Sequence, residues 1–156
     1  LIRYADILLL KAEALIETNS ELLTARDLIN QVREKAKRSV DTNYTPVDIN
    51  PAKANYKVES YSDSTCTWNQ EYARMAVRHE RRVELAMEGH RWFDLVRWEG
   101  VDGQGLKAHM DAYKTTESAD AQMHIQEFVA GKHEIFPIPQ EEIQLNPTPM
   151  KQNNGY

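Results

Sequence analysis

The stretch from Glu80 to Trp98, ERRVELAMEGHRWFDLVRW, constrains the fold more than any other part of the chain. It joins a densely charged helical pattern to an aromatic-rich one through a single glycine, Gly89. Glu80, Glu84 and Glu88 recur at four-residue steps and so share one helix face, where they predict ion pairs with neighbouring helices. Because the stretch contains no complete catalytic device, it indicates binding or scaffolding rather than chemistry.

The helix that precedes Gly89 has its own start and stop signals. Thr67, followed three residues later by Gln70, matches a capping box, and Gly89 suits the left-handed residue that follows a helix end. The short helix after Gly89 has too many large apolar groups for an exposed element. We therefore expect it to bury against its neighbour, with Trp92 and Phe93 in the core.

The sequence predicts no metal or cofactor site. His79 and Glu80 begin like a zinc-protease motif, but Val83 stands where the second histidine is needed. The histidines show no paired helical spacing; they are His79, His90, His109, His124 and His133.

A hydrolase would have to use unpaired carboxylates such as Glu134, Glu141 and Glu142. Acidic residues on surface helices are usually solvated, whereas glycosidase carboxyls must flank a bond at roughly 5 to 10 Å. We therefore predict that the protein is not an enzyme.

Composition excludes further classes of function. The 156 residues are 41% hydrophobic and 28% charged, as in one ordinary soluble globular domain. A net charge of −5 gives no attraction for nucleic acid. The longest apolar run, Ile7 to Leu10, is far short of the roughly 20 residues of a membrane-spanning helix. Cys66 is the single cysteine, so no internal disulfide forms.

Two amphipathic helices open the chain. The first has an apolar stripe at three- and four-residue steps: Tyr4, Ala5, Leu8, Ala12, Leu15 and Ile16. A turn at Asn19 and Ser20 precedes a second stripe: Ala25, Leu28, Ile29, Val32 and Ala36. Helices joined this tightly pack antiparallel, and small residues let them approach closely, as in tetratricopeptide-type hairpins. The predicted fold class is all-α, with antiparallel helix pairs, long irregular loops and an extended C-terminal tail.

Between about residues 39 and 66 the helical period disappears, and prolines, asparagines and serines punctuate the chain. This excursion contains Tyr44, Tyr56 and Tyr61 and leads into Trp68. Aromatic rings among polar neighbours are what sugar-binding surfaces use. Such rings also anchor long loops to helices, and the sequence leaves both roles open.

The last third of the chain is less regular. We expect a polar helix over Leu106 to Tyr113, a short extended run over His133 to Phe136, and one or two helical turns over Gln140 to Leu145. Pro137 and Pro139 hold the backbone extended before those turns. The tail after them is predicted to be irregular.

Three blocks of sequence together resemble the C-terminal region of the SusD/RagB family of outer-membrane nutrient-binding lipoproteins. In chain order they are RYADILLLKAEALIE with a second helix ending in INQVREKA, then ERRVELAMEGHRWFDLVRW, then FPIPQEEIQLNPTPMKQNNGY. Met87 and Val96 depart from the family, since aromatic or basic residues are common there, and Asn154 stands where the family often has proline.

The resemblance implies a single C-terminal helical domain over residues 1–156, built on tetratricopeptide-like helix pairs and belonging to a longer protein. It implies a surface-exposed protein of the cell outer membrane, lipid-anchored through an upstream cysteine and not through Cys66. Family members bind oligosaccharides or other nutrients, work with a SusC-like TonB-dependent transporter, need no cofactor and are not enzymes. The alternative is a helical-repeat scaffold that docks the transporter, with the ligand site outside this segment.

The resemblance also implies roles for individual residues. The family's ligand surface comes largely from other parts of the chain, so the central motif is expected to be structural: Glu80, Glu84, Glu88, Gly89, Arg91, Trp92, Phe93 and Asp94. Within it, Arg91 and Asp94 are expected to pair with the glutamate row. Tyr61 and Trp68 are the candidates for ligand contact. The apolar pattern that starts at Leu1 also predicts that the isolated chain exposes apolar surface.

Overall fold

The computed structural model is all-helical over the residues it describes, which are 2–41, 58–124, 128–146, 148 and 150–156. Within these ranges there is no strand, and the helices are α1 (Tyr4–Glu17), α2 (Leu22–Asp41), α3 (Gln70–Glu84), α4 (His90–Asp102), α5 (Leu106–Thr116), α6 (Ala119–His124) and α7 (Gln140–Leu145). The prediction of an all-α fold is confirmed. Tyr44 and Tyr56 of the irregular excursion lie outside the described residues.

Contacts along the chain cluster into two compact units, Leu1–Glu88 and Gly89–Tyr156. The first unit contains α1, α2 and α3, and the second contains α4 to α7. The single-domain organisation over residues 1–156 therefore stays a prediction.

The core of the first unit lies between α1, α2 and α3. Its members are apolar residues at helical spacing, many of them alanines that permit close approach: Ala5, Leu8, Leu9, Ala12, Ile16, Ala25, Leu28, Ile29, Val32, Ala73 and Val77. The predicted stripe of α1 was wrong at Tyr4, which is 74% exposed, while Leu9, which was not part of that stripe, is fully buried. Because α1 is apolar nearly all round, periodicity alone does not select which face packs.

Ion pairs align α1 with α3 in opposite directions. Arg3, just before α1, bonds Glu84 at the end of α3 at 2.9 Å, whereas Glu17 at the end of α1 bonds Arg74 near the start of α3 at 2.6 Å. Between these pairs, Arg81 donates to Asp6 at 2.8 Å, and both residues are buried. Glu13 of α1 is buried as well.

The ends of α3 differ from those predicted. Asn69 is the N-cap in place of Thr67, since its side chain accepts a hydrogen bond from the Tyr72 amide at 2.9 Å. Gln70 does not complete a capping box, because its side-chain amide donates to the carbonyl of Ile16 at 2.7 Å. The helix ends at Glu84 and not next to Gly89.

Gly89 does adopt the left-handed backbone expected of it, with a φ of 81°. It stands at the N-cap position of α4, however, and Met87 before it is also left-handed with a φ of 66°. The link between α3 and α4 is therefore a turn of several residues, from Leu85 to Gly89.

The second unit has a small core formed by Leu95, Trp98, Leu106 and Phe128. The placement of Phe93 in the core is wrong, since that side chain is 72% exposed, and Trp92 is 37% exposed. A helix buries one stripe, and successive residues point about 100° apart. The buried stripe of α4 passes through Leu95 and Trp98, which turns Phe93 outward.

The C-terminal tail is fixed by side-chain amides. Gln152 forms two hydrogen bonds with the backbone of Ile138, both 2.8 Å long, and Asn153 donates to the carbonyl of Phe136 at 2.7 Å. The predicted helical turns over Gln140 to Leu145 are confirmed as α7. The extended run predicted from His133 is wrong in its first half, because His133 lies in a turn.

Candidate functional site

The glutamate row of the central motif lies within the first unit, and its described cations come from the segment before α1 and from α2. Arg33 of α2 donates to Glu80 at 2.8 Å. Arg3 donates to Glu84 and Glu88, with N–O distances of 2.9 Å to each carboxylate. The hydrogen bonds to Glu88 and then to Glu84 raise the pKa of Arg3, so Arg3 stays positively charged beside both carboxylates.

Arg91 and Asp94 have partners within the second unit. The guanidinium of Arg91 lies 5.5 Å from the centre of the Trp98 ring, and the buried carboxylate of Asp94 pairs with Arg97 at 3.0 Å. Their pairing with the glutamate row stays a prediction.

Residues 58–66, here called the anchored segment, run along one face of α2. The Asn30 side chain bonds both backbone polar groups of Tyr61. Its oxygen accepts from the Tyr61 amide at 2.8 Å, and its nitrogen donates to the Tyr61 carbonyl at 2.9 Å. Neighbouring turns of α2 add further polar contacts: Arg26 with Asp63, Arg33 with the Glu59 carbonyl, Glu34 with Ser60, and Lys37 with Glu59. Because these contacts come from successive turns of α2, they fix the path of the irregular anchored segment along that helix.

Tyr61, Trp68 and Tyr72 form an aromatic cluster at the end of the anchored segment. Ring centres lie 5.3 Å apart for Tyr61 and Trp68, 5.8 Å for Trp68 and Tyr72, and 6.1 Å for Tyr61 and Tyr72. The rings are tilted or edge-on, as favourable aromatic pairs are. Arg33 adds a cation 4.6 Å from the centre of the Tyr61 ring.

The cluster anchors the segment to the helices. Tyr61 and Trp68 pack against the core of the first unit, and the Trp68 indole N–H donates to the Leu22 carbonyl at 2.8 Å. Partial burial raises the pKa of Tyr61, while the positive charge of Arg33 opposes that shift. Desolvation, together with the neighbouring Cys66 thiol, raises the pKa of Tyr72. The anchoring role left open by the sequence is thus observed, whereas ligand contact by Tyr61 and Trp68 remains a proposal.

A cavity of about 400 Å³ lies beside the aromatic cluster at the start of α3. We call it the α3 pocket, and its lining residues are Thr65, Cys66, Thr67, Asn69, Glu71, Tyr72 and Met75. Sequence reasoning missed Tyr72 as a member of the site. The signal was present, because Tyr72 follows Trp68 by four residues, one helical turn.

The carboxylates and possible metal ligands considered from the sequence can also be located among the described residues. No group of three or more His, Cys, Asp or Glu side chains there is placed to hold a metal ion. Glu134 uses one carboxylate oxygen to accept from the Gly131 amide at 2.9 Å, while Glu141 and Glu142 are exposed in the first turn of α7. No helix in the described ranges is long and apolar enough to cross a membrane.

Comparison with known proteins places the sequence among relatives of one kind. A model of the SusD family matches residues 1–156. Three SusD-like proteins of Formosa agariphila are similar: P38 is 36% identical over 62% of this chain, P2 is 27% identical over 99%, and P25 is 29% identical over 99%. These matches cover 16%, 25% and 24% of those proteins, so the chain spans a quarter or less of their length. The chain belongs to the SusD family.

Proposed function

We propose that this chain is part of a non-catalytic nutrient-binding protein of the cell surface, whose ligand is a glycan. The observation that supports this proposal is the match of the SusD family model to all of residues 1–156. The proposed protein is held at the outer membrane by an upstream lipid anchor and delivers its ligand to a SusC-like TonB-dependent transporter.

Tyr61 and Trp68 are the proposed ligand contacts within this chain. Their rings are held by packing and by hydrogen bonds from α2, so little conformational entropy is lost when a sugar stacks on them. Because the Trp68 indole N–H is already bonded to Leu22, the proposed contact is made by ring faces and edges.

Isothermal titration of the full-length protein against panels of neutral oligosaccharides and of peptides tests the proposal. We expect saturable binding of at least one oligosaccharide and weaker binding by the Tyr61→Ala variant. Tyr113→Ala is the matched control, because Tyr113 is a 45%-exposed tyrosine of the second unit. Binding of peptides alone, or of nothing in either panel, would count against a glycan ligand.

Incubation of the same protein with polysaccharides tests the absence of catalysis. We expect no release of reducing ends above that from a heat-inactivated sample. Turnover that rises with protein concentration would contradict the non-catalytic assignment.

An interaction scaffold is the second candidate function, and exposed apolar side chains favour it. On α1, Tyr4, Ile7 and Leu10 recur at three-residue steps and are 74%, 48% and 39% exposed. Co-purification of the full-length protein with a SusC-like transporter from the same cells tests this role. If Ile7→Glu abolishes co-purification while oligosaccharide affinity is unchanged, docking is the main role of this segment; if co-purification survives, the α1 face is not the contact.

A further inference from the structure

The α3 pocket is lined by side chains from two parts of the first unit. Tyr72 and Met75 lie three residues apart on α3 and therefore share a face. Facing solvent, Met75 is 58% exposed. Thr65 and Cys66 come from the anchored segment, so the cavity forms only when that segment lies against α3.

The pocket is held in shape by contacts that leave its interior accessible. Thr65 and Ser62 close a tight turn, with the Ser62 amide donating to the Thr65 hydroxyl at 3.0 Å and that hydroxyl donating to the Ser62 carbonyl at 2.9 Å. On the other side, Trp68 donates a hydrogen bond to the carbonyl of Leu22 in α2, and Gln70 donates one to the carbonyl of Ile16 in α1. A site fixed in this way needs little rearrangement to bind a ligand.

Polar groups at the rim keep unused hydrogen-bonding capacity. The Asn69 side-chain oxygen caps α3, while its amide nitrogen donates to none of the described residues. The Glu71 carboxylate and the Thr67 hydroxyl likewise have no hydrogen-bond partner in the described part of the chain, and both residues are exposed. The rim therefore offers an amide donor, a hydroxyl and an anionic acceptor close to an aromatic ring.

We propose that the α3 pocket is a binding subsite for one residue of a neutral oligosaccharide, an inference that rests on the proposed function. A pyranose has an apolar C–H face, which suits the Tyr72 ring and the Met75 thioether, and hydroxyls that accept from Asn69 and donate to Glu71. The volume of about 400 Å³ falls in the range of small-ligand sites. The Glu71 carboxylate opposes acidic sugars, because a like charge would be brought close to it.

Cys66 gives a local reporter of occupancy, since it lines the pocket and is the only cysteine of this chain. The full-length protein is treated with iodoacetamide, and alkylation of Cys66 is followed by mass spectrometry of its peptide. The probes are maltohexaose, cellohexaose, laminarihexaose, xylohexaose and mannohexaose, with hexagalacturonate as the acidic counterpart. For a neutral probe at ten times its Kd, we expect alkylation to slow about tenfold, because about a tenth of the sites remain free.

Two matched pairs of variants identify the contacts by calorimetry. Glu71→Gln is compared with Glu141→Gln, which alters another exposed first-turn carboxylate. Met75→Ala is compared with Met123→Ala, which alters another exposed methionine. We expect Glu71→Gln to weaken binding of the neutral probe about tenfold or more, as loss of a hydrogen bond to a charged group does. Met75→Ala should weaken it less, and the controls should match the wild type.

The outcomes distinguish an error in the pocket assignment from a failure of the proposed glycan-binding function. If a neutral hexasaccharide binds by calorimetry while Cys66 reacts at its unprotected rate, the pocket assignment is wrong and the glycan-binding function survives. Tighter binding of hexagalacturonate than of every neutral probe refutes the neutral ligand. If no oligosaccharide binds, the proposed function fails and the subsite fails with it.

Discussion

Gly105 is the position at which a single methyl group is expected to damage the second unit most directly. The chain leaves α4 after Asp102, turns through the left-handed Gly103, and returns to pack Gly105 against the last turns of α4. A Cβ at position 105 would lie 2.3 Å from the backbone nitrogen of Glu99 and 2.5 Å from the carbonyl oxygen of Leu95. Both are backbone atoms of a helix, which cannot rotate away as a side-chain tip can.

The cost of Gly105→Ala follows from two opposing effects. Overpacking of a tight site lowers the free energy of unfolding by about 1 to 3 kcal/mol. Because the neighbouring atoms are rigid backbone, we expect Gly105→Ala to lie at the upper end of that range. Alanine restricts the unfolded chain more than glycine does, and this effect offsets about 0.4 to 1 kcal/mol of the loss. The local unfolding free energy should therefore fall by about 2 kcal/mol, a roughly 30-fold increase in the open population.

Hydrogen exchange followed by mass spectrometry measures this change where it occurs. We expect amides of α4 and α5 to exchange roughly 30-fold faster in Gly105→Ala under conditions in which exchange reports opening equilibria. Gly100→Ala is the control, since among the described residues no atom beyond the neighbouring backbone of α4 lies within 4 Å of its added Cβ, and alanine is favoured within a helix by about 1 kcal/mol. Exchange in α4 should slow in that variant. Wild-type exchange rates in Gly105→Ala would refute the argument from close approach.

Three further outcomes are expected. Asn69→Ala should destabilise the first turn of α3 by about 1 kcal/mol, whereas Thr67→Ala should not, because Asn69 is the cap; equal hydrogen exchange in the two variants would contradict this. Gln152→Ala, which removes two bonds to Ile138, should speed proteolysis of the tail, while Asn154→Ala should leave it unchanged. Burial raises the folded-state pKa of Tyr61, so its stabilising contribution is complete below pH about 10 and is lost as pH rises through the folded pKa. Tyr61→Phe should therefore flatten the loss of stability above pH 10 in urea titrations, and an unchanged slope would argue against a shifted Tyr61.

Helical periodicity predicted the elements well, because most of them bury one stripe. The stripe of α2 illustrates this: Ala25, Leu28, Ile29 and Val32 are all buried. The failures come where a helix has more apolar residues than one stripe can hold. On α1 the packed face passes through Leu9 and leaves Tyr4 exposed, and on α4 it passes through Trp98 and leaves Phe93 exposed. For such a helix, the local sequence predicts that a helix forms, while the neighbouring elements decide which of its apolar faces is buried.

The candidate site was predictable only in part. Tyr61 and Trp68 stood out as aromatic residues in a polar region, and their contact is observed. Asn30 could not have been found, because its role is to bond the backbone of a residue 31 positions later, and nothing near it in sequence signals a distant partner. The N-cap of α3 is Asn69 and not Thr67, so the helix begins two residues later than the capping-box pattern predicts.

The ion pairs that join α3 to α1, and to Arg3 just before it, set the register between these two helices. The alanine-rich interface between helices gives a close but smooth contact, and smooth apolar surfaces discriminate poorly between adjacent registers. Three pairs remove that ambiguity: Arg3 with Glu84, Asp6 with Arg81, and Glu17 with Arg74. A slip of α1 by one turn would separate all three at once, and it would move the buried Asp6 carboxylate away from Arg81. Separating a buried pair costs about 3 to 5 kcal/mol, so the native register is favoured even where apolar packing alone would tolerate others.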